Sequence, residues 1–389
     1  MYIWQSERWP NFVFSEKLIA PRLEAILALQ KQLIGKAKRL QAQGGENLGR
    51  QVEMDALIQE ALQTSEIEGE KLNVGSVRSS VAKHLGLEQA GLPATTQQTE
   101  SLVAMLSDAT SQLQQPISQQ LLCEWQAAIF PEPSLTKNMK IGELRGEATM
   151  QVVSQKGRHE IIHFEAPPKS QLQQELNAFI NWFNETQSIE EQPQIHGIVR
   201  AAIAHLWLIT LHPFDDGNGR LSRALTDRAL AQDEQTSIRF YSLSAAIEKN
   251  RSAYYDVLEN TQGCKTKTQL KPDNELDVTE WINWFLYILG QAIEQGQQRI
   301  ERVINKTRFW QTHSQTVLSA RQIKVLNRLL DSAGEEFEQG INASKYKNIT
   351  DVSKPTATRD LAELVAKGCL KQLPGGGRST RYTIKWIGG

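Results

Sequence analysis

Apolar residues recur at three- and four-residue spacings along most of this chain, and the places where that rhythm fails mark its boundaries. From Lys17 to about Leu113 the pattern is helical, with Leu18, Ile19, Leu23, Ile26, Leu27 and Leu33 forming one apolar stripe. A second helical pattern runs from Leu48 to Glu70 and stops in Glu68-Gly69. Between Met139 and Pro168 two short runs rich in β-branched residues flank the turn-prone Ser154-Gln155-Lys156-Gly157, which predicts a β-hairpin closed by Pro167-Pro168. Helices resume at Lys169. The run from Ile198 to Leu211 is apolar nearly all round, which marks a helix buried inside a helical domain. Helical patterns continue from Leu221 to Gln232 and from Ala245 to Asn260, and a polar stretch then leads to a long helix that begins near Val278.

The last segment, from about Thr316, follows a different order. Helices over Ser319 to Ala333, Asn342 to Thr350 and Ser353 to Leu370 precede a strand pair around a glycine turn, the order of a winged helix-turn-helix. Ser353 reads as the N-cap of the third helix and Gly368 as its stop. The fold expected is therefore mainly α: a helical region over 1–113, a helical bundle with a hairpin over 114–300, and a winged helix-turn-helix over 301–389.

Composition narrows this picture only a little. A chain of 389 residues with 40% hydrophobic and 22% charged residues reads as a multidomain globular protein, and a net charge of -1 points to no class of partner. Cys123, Cys264 and Cys369 lie far apart, an odd set without a C-x-x-C pair, which argues against a disulfide framework or a zinc knuckle. With neither a signal-peptide pattern nor an apolar run of about 18 residues, a cytoplasmic protein without a membrane partner is expected.

The chemistry concentrates in "LHPFDDGNGRLSR", Leu211 to Arg223. Gly217 and Gly219, just before a helix, allow backbone N–H groups to converge on an anion at a helix N-terminus. Arg220 and Arg223, three apart, can reach the same anion. Asp216 is a hard carboxylate suited to Mg2+ beside phosphates, and His212 is the side chain whose pKa suits proton abstraction near neutral pH. A metal-hydrolase reading of His205, His212, Asp215 and Asp216 competes with this, but it leaves the glycines and arginines without a purpose.

These residues resemble the signature of the Fic (filamentation induced by cAMP) family, H-x-F-x-[D/E]-G-N-G-R-x-x-R, matched at His212, Phe214, Asp216, Gly217, Asn218, Gly219, Arg220 and Arg223. The resemblance covers roughly Gln119 to Gly263. It implies a protein adenylyltransferase that moves AMP from ATP to a Ser, Thr or Tyr hydroxyl of a target protein, which can be the enzyme itself. In that scheme His212 is the base, Asp216 holds Mg2+, Phe214 anchors the loop, and Gly217, Asn218, Gly219 and Arg220 hold phosphates. The hairpin from Met150 to Phe164 would be the flap that pins the target segment by strand addition. Tyr254 and Tyr255 fall where such proteins line the adenine pocket, although core packing explains them almost as well. A glycine at 219, where the phosphorylating branch tends to carry Lys, favours AMP transfer.

Upstream, "TSEIEG" (Thr64 to Gly69) is similar to the family's inhibitory pattern [S/T]-x-x-x-E-[G/N]. It implies that Glu68 pairs with Arg223 in the place of the ATP γ-phosphate. Family habit also suggests a homodimer. Beyond the resemblance, the segment from Arg321 onward carries twelve Lys and Arg against seven Asp and Glu. Its third helix, with Thr356, Thr358 and Arg359, and its wing, with Arg378 and Arg381, therefore invite a DNA-binding reading. The alternative function is a transcriptional regulator whose Fic domain senses nucleotide.

Overall fold

The computed structural model of the protein describes residues 1–87, 92–131, 139–156, 159–187, 195–236, 239–263, 276–331, 337, 339–374 and 380–386, with side chains described except at 41–47, 155, 156, 159 and 160. Gly157, Cys264 and Arg378 lie outside the described residues. Two compact units emerge: 1–37 with 49–297, and 38–48 with 298–389. The expected regions 1–113 and 114–300 fall mostly within the first.

In the first unit a 3-10 turn (Ile3–Gln5) and β1 (Phe12–Val13) lead into α1 (Glu16–Ile67), α2 (Val74–His84), α3 (Gln97–Ser111) and α4 (Gln119–Ile129). The hairpin β2 (Gln151–Lys156) and β3 (His159–Glu165) follows, then α5 (Lys169–Glu185), α6 (Gly197–Leu211), α7 (Asn218–Glu234), α8 (Leu243–Lys249) and α9 (Arg251–Gln262). Strand β4 (Leu276–Asp277) pairs in parallel with β1, and α10 (Thr279–Thr312) runs on into the second unit. The fold is mainly helical, as expected.

The core is centred on α6, whose residues from Ile198 to Leu211 are all buried. It packs against α7, where Leu221, Ala224, Leu225 and Leu230 are fully buried, and Phe214 in the loop that joins the two helices is fully buried too. The indole of Trp281 donates to the Ala202 carbonyl at 2.7 Å and ties α10 to the same centre.

Four expectations about the elements need correction. The two helices read before Glu70 form one helix, α1, because the Gly44-Gly45 pair, costing roughly 1 kcal/mol per glycine, is flanked by long helical runs on both sides. Its buried stripe is also narrower: Ile19, Ile26 and Leu33 are buried, whereas Leu18 and Leu27 are exposed. The single helix over Ala245 to Asn260 is instead two, broken at Asn250, whose φ of -119° and ψ of 28° leave the helical region. Finally, Ser154, Gln155 and Lys156 are strand rather than turn, so β2 is longer than its sequence suggested.

The second unit contains α11 (Ala320–Asp331), α12 (Ala343–Thr350) and α13 (Lys354–Ala366), then β5 (Leu370–Gln372) and β6 (Tyr382–Ile384), which pair antiparallel. Ser353 caps α13, accepting from the Thr356 N–H, and Gly368 takes a positive φ of 75° just past the helix end. Val325, Leu326, Ile341, Tyr346, Leu361 and Leu364 make its core. Buried Asp360 receives the Tyr346 hydroxyl at 2.9 Å and pairs with Arg321 at 3.1 Å. That arrangement satisfies a charge that would otherwise be costly to bury.

Candidate functional site

The loop between α6 and α7 is fixed by three devices. His212 closes α6 in the left-handed region, at φ 48° and ψ 58°, a conformation uncommon for a side chain other than Gly and one that turns the chain sharply. Gly217, at φ 87°, makes the second sharp turn as N-cap of α7. Just past it, Asn218 folds its carboxamide back, accepting from the Phe214 N–H at 3.0 Å and donating to the Phe214 carbonyl at 2.8 Å. Its side chain therefore braces the loop, which leaves its N–H as the group to offer an anion.

Arg145, 2% exposed, supports this loop from outside the motif. Its Nε donates to the His212 carbonyl at 2.8 Å, its backbone N–H to the Pro213 carbonyl at 3.0 Å, and its Nη2 to the Pro167 carbonyl at 2.5 Å. One guanidinium thus joins the loop that carries His212 to the foot of the hairpin. Sequence reasoning missed it; the only signal was an arginine set between two glycines in "GELRG".

The imidazole of His212 lies 3.2 Å from the Ile209 carbonyl through Nδ1. A carbonyl only accepts, so Nδ1 carries the proton and Nε2 keeps its lone pair. Burial lowers the His212 pKa, with Arg145 acting in the same sense; the Ile209 hydrogen bond and the charges of Glu68 and Asp216 oppose them without reversing the shift. The result is a neutral imidazole at pH 7 with a basic nitrogen available. Asp216 is exposed at the rim, and its Oδ1 accepts from the Gly217 N–H at 2.6 Å.

Helix α1 ends beside this loop in a Schellman turn. The Gly69 N–H donates to the Glu66 carbonyl at 2.9 Å and the Glu70 N–H to the Ser65 carbonyl at 3.0 Å, with Gly69 at φ 83°. Glu68 sits at the C-cap, where the helix dipole disfavours a carboxylate. What it meets there is Arg223: Oε1 accepts from Nη2 at 2.7 Å, while Thr64 accepts from Nε through Oγ1 at 2.8 Å and from Nη2 through its carbonyl at 2.9 Å. A Cβ at Gly219 would overlap the Glu68 carboxylate, so the glycine admits Glu68 to the N-terminal turn of α7. Burial alone would raise the Glu68 pKa; the charge and hydrogen bond of Arg223, with Arg220 and His212, overcome it and hold the carboxyl below its usual value. Arg223 is raised in return: its burial is outweighed chiefly by Glu68. Arg220 is paired too, its Nη1 2.5 Å from Glu70, a contact the sequence did not suggest.

The remaining expected residues divide. Tyr254 is 2% exposed, and its hydroxyl lies 2.9 Å from His205 Nε2 within a cluster that includes Trp281 and Trp284; burial raises its pKa, and Arg223, close beside it, opposes that shift. Tyr255 is half-buried and donates to the Ile67 carbonyl at 3.3 Å, next to the turn that ends α1. His205 has both ring nitrogens engaged, by Tyr254 and by Thr226 at 2.9 Å, and its pKa is lowered to about 3, by burial above all. A structural histidine of this kind is not a metal ligand, which removes it from the hydrolase reading. The hairpin pairs Gln151 with Glu165 at its foot, is irregular between Val152 and Val153, and leaves Val153, Ile161 and Ile162 exposed. Its β3 is tied to α9 by His163 and Glu259 at 2.6 Å, and the Trp4 indole donates to the Glu165 carbonyl at 2.7 Å.

Comparison with known proteins agrees with this geometry. Residues 116–230 match the Fic/DOC family, and residues 2–87 match a family described as Domain of unknown function (DUF4172). Over 95 residues the chain is 35% identical to the protein adenylyltransferase Fic of Nematostella vectensis, a stretch covering 24% of this chain and 19% of that protein. Over 84 residues it is 34% identical to the protein adenylyltransferase Fic of Aedes aegypti, covering 22% of this chain and 15% of that protein. The chain thus spans under a fifth of the length of these relatives. A Fic domain containing signaling protein from Bacteroides thetaiotaomicron superposes with a TM-score of 0.52 at 19% identity, over 71% of this chain and 96% of that one. The chain carries a Fic-type domain on a Fic-type fold.

Proposed function

We propose that this protein is an adenylyltransferase that transfers AMP from ATP to a Ser, Thr or Tyr hydroxyl of a protein, and that Glu68 holds it in check. The observation that carries the reading is one constellation: a neutral His212 with Nε2 available, on the same loop as a glycine-lined helix N-terminus and two arginines. His212 Nε2 takes the proton of the target hydroxyl as its oxygen attacks the α-phosphorus of ATP, and the bond to the β-phosphate oxygen breaks. The N–H groups of Gly217 to Gly219 and the guanidinium groups of Arg220 and Arg223 stabilise the charge that develops on the leaving pyrophosphate. Asp216, an exposed carboxylate beside the nest, is the donor type that Mg2+ takes together with phosphate oxygens, and the metal would supply charge neutralisation there. Arg145 keeps the base-bearing loop in register with the hairpin, whose exposed Val153, Ile161 and Ile162 offer a surface for the target segment.

In the resting protein Glu68 occupies Arg223, the group that would receive the γ-phosphate, so ATP meets both a blocked position and a like charge. Labelling tests the reaction class. With Glu68→Gly, label in the α-phosphate of ATP is expected to stay on protein and label in the γ-phosphate to leave with pyrophosphate. Retention of the γ label alone would mean phosphorylation instead.

A further inference from the structure

Autoinhibition by Glu68 accounts for one of the two arginines of the anion site. Arg220 is also occupied, and by the same turn. Its Nη1 lies 2.5 Å from Glu70 Oε2, with 7% of the arginine side chain and 33% of the glutamate side chain exposed. This differs in kind from a solvated pair such as Lys83–Glu100, whose side chains are 57% and 38% exposed. The Arg220 guanidinium lies over the Phe130 ring, 4.9 Å from its centroid, and its buried Nε has no hydrogen-bond partner among the described residues. The second oxygen of Glu70 is held by the Gln98 carboxamide at the start of α3. The Schellman turn fixes Glu70 relative to Glu68, because its own N–H closes that turn on the Ser65 carbonyl.

We propose that Glu70 is a second inhibitory carboxylate, acting on Arg220 as Glu68 acts on Arg223, so that one glycine turn withholds both arginines from the nucleotide phosphates. The inference rests on the autoinhibited-transferase reading and deepens it. Arg220 and Arg223 lie three apart on the first two turns of α7, a spacing that lets both reach one anion. A ligand that recruits both must displace both carboxylates, so removing Glu68 alone leaves a residual barrier. Gln98 adds a route for control: it holds Glu70 from α3, an element separate from α1, so a shift of α3 would loosen the second contact first.

The test is ATP affinity with Mg2+, measured by calorimetry on the full chain with His212→Ala throughout to silence turnover. Wild type, Glu68→Gly, Glu70→Gln and Glu68→Gly/Glu70→Gln are compared, with Glu68→Gly/Glu100→Gln as a control for the loss of one negative charge. Glu70→Gln preserves size, and thermal unfolding checks that each variant is folded. Adding Glu70→Gln to Glu68→Gly is expected to tighten ATP binding by roughly threefold to tenfold, with Glu100→Gln changing it by less than about twofold. If Glu70→Gln adds nothing to Glu68→Gly, or if Glu100→Gln matches it, Glu70 is not inhibitory while the Glu68 reading stands. If Glu68→Gly itself binds ATP no more tightly than wild type, autoinhibition fails, and the role of Glu70 fails with it.

Discussion

At the scale of single residues, the state of His212 decides whether the loop can act as a base. Its pKa lies below the ordinary 6.5 because of burial, so the unfolded chain binds the proton more readily than the folded one. The stabilising contribution is therefore complete above pH 6.5 and is lost as the pH falls through the folded value. Transfer by Glu68→Gly should follow the same group: a plateau through neutral pH and a fall on the acid side, with half-loss below 6.5. Removing Glu68 deletes a charge that raises the His212 pKa, so the acid limb should not move upward; a pH–rate profile with half-loss at or above 6.5 would contradict this. Arg145 makes a separate prediction. Arg145→Ala leaves the His212 and Pro167 carbonyls without their buried donor, at a cost of about 2–4 kcal/mol in denaturant unfolding, and should also depress transfer in Glu68→Gly. An unchanged unfolding midpoint would remove the bracing role. Both effects illustrate what the sequence held back: the motif named His212, but an arginine far away in sequence and a backbone carbonyl set its geometry.

At the scale of elements, the turn that ends α1 is the device on which the proposed inhibition depends. Gly69 at φ 83° lets Glu68 and Glu70 fall on either side of the reversal, and a Cβ there costs roughly 1–2 kcal/mol of local strain. Gly69→Ala should therefore raise self-modification part of the way toward Glu68→Gly while leaving α7 intact; activity equal to wild type would show that the turn tolerates the substitution without releasing either arginine. This region is legible in the chain itself, where Glu68-Gly69 reads as a helix end. The role of Glu70 is not, because a carboxylate two residues past a helix stop reads as solvated until the turn geometry brings it to Arg220. Periodicity also misjudged lengths, joining α8 to α9 across Asn250 and splitting α1 at its glycines, where tertiary context outweighed local propensity.

At the scale of the whole molecule, the first unit holds the candidate site and the second raises a separate question. Among the described residues no helix is long and apolar enough to cross a membrane. In the second unit Thr358 and Arg359 are exposed on α13, while Thr356 is half-buried and Arg381 donates to the Gln339 carbonyl at 3.4 Å. If α13 enters a DNA groove, duplex binding should weaken steeply with salt, and Arg359→Ala should reduce it; affinity flat across salt, or none, would leave the unit to protein contacts. The Fic motif was fully legible from sequence because its chemistry is compressed into one loop, whereas the supports from Arg145, Trp4 and Gln98 come from distant segments. The central claim is a gated transferase, and intact-mass spectrometry of wild type, Glu68→Gly and Glu68→Gly/His212→Ala, with and without ATP and Mg2+, tests it most directly. The account predicts an AMP adduct that grows roughly tenfold faster in Glu68→Gly than in wild type, the equivalent of about 1.5 kcal/mol for one charge-assisted contact, and that vanishes when His212 is lost. An adduct that forms equally in wild type and Glu68→Gly, or that persists without His212, would contradict it.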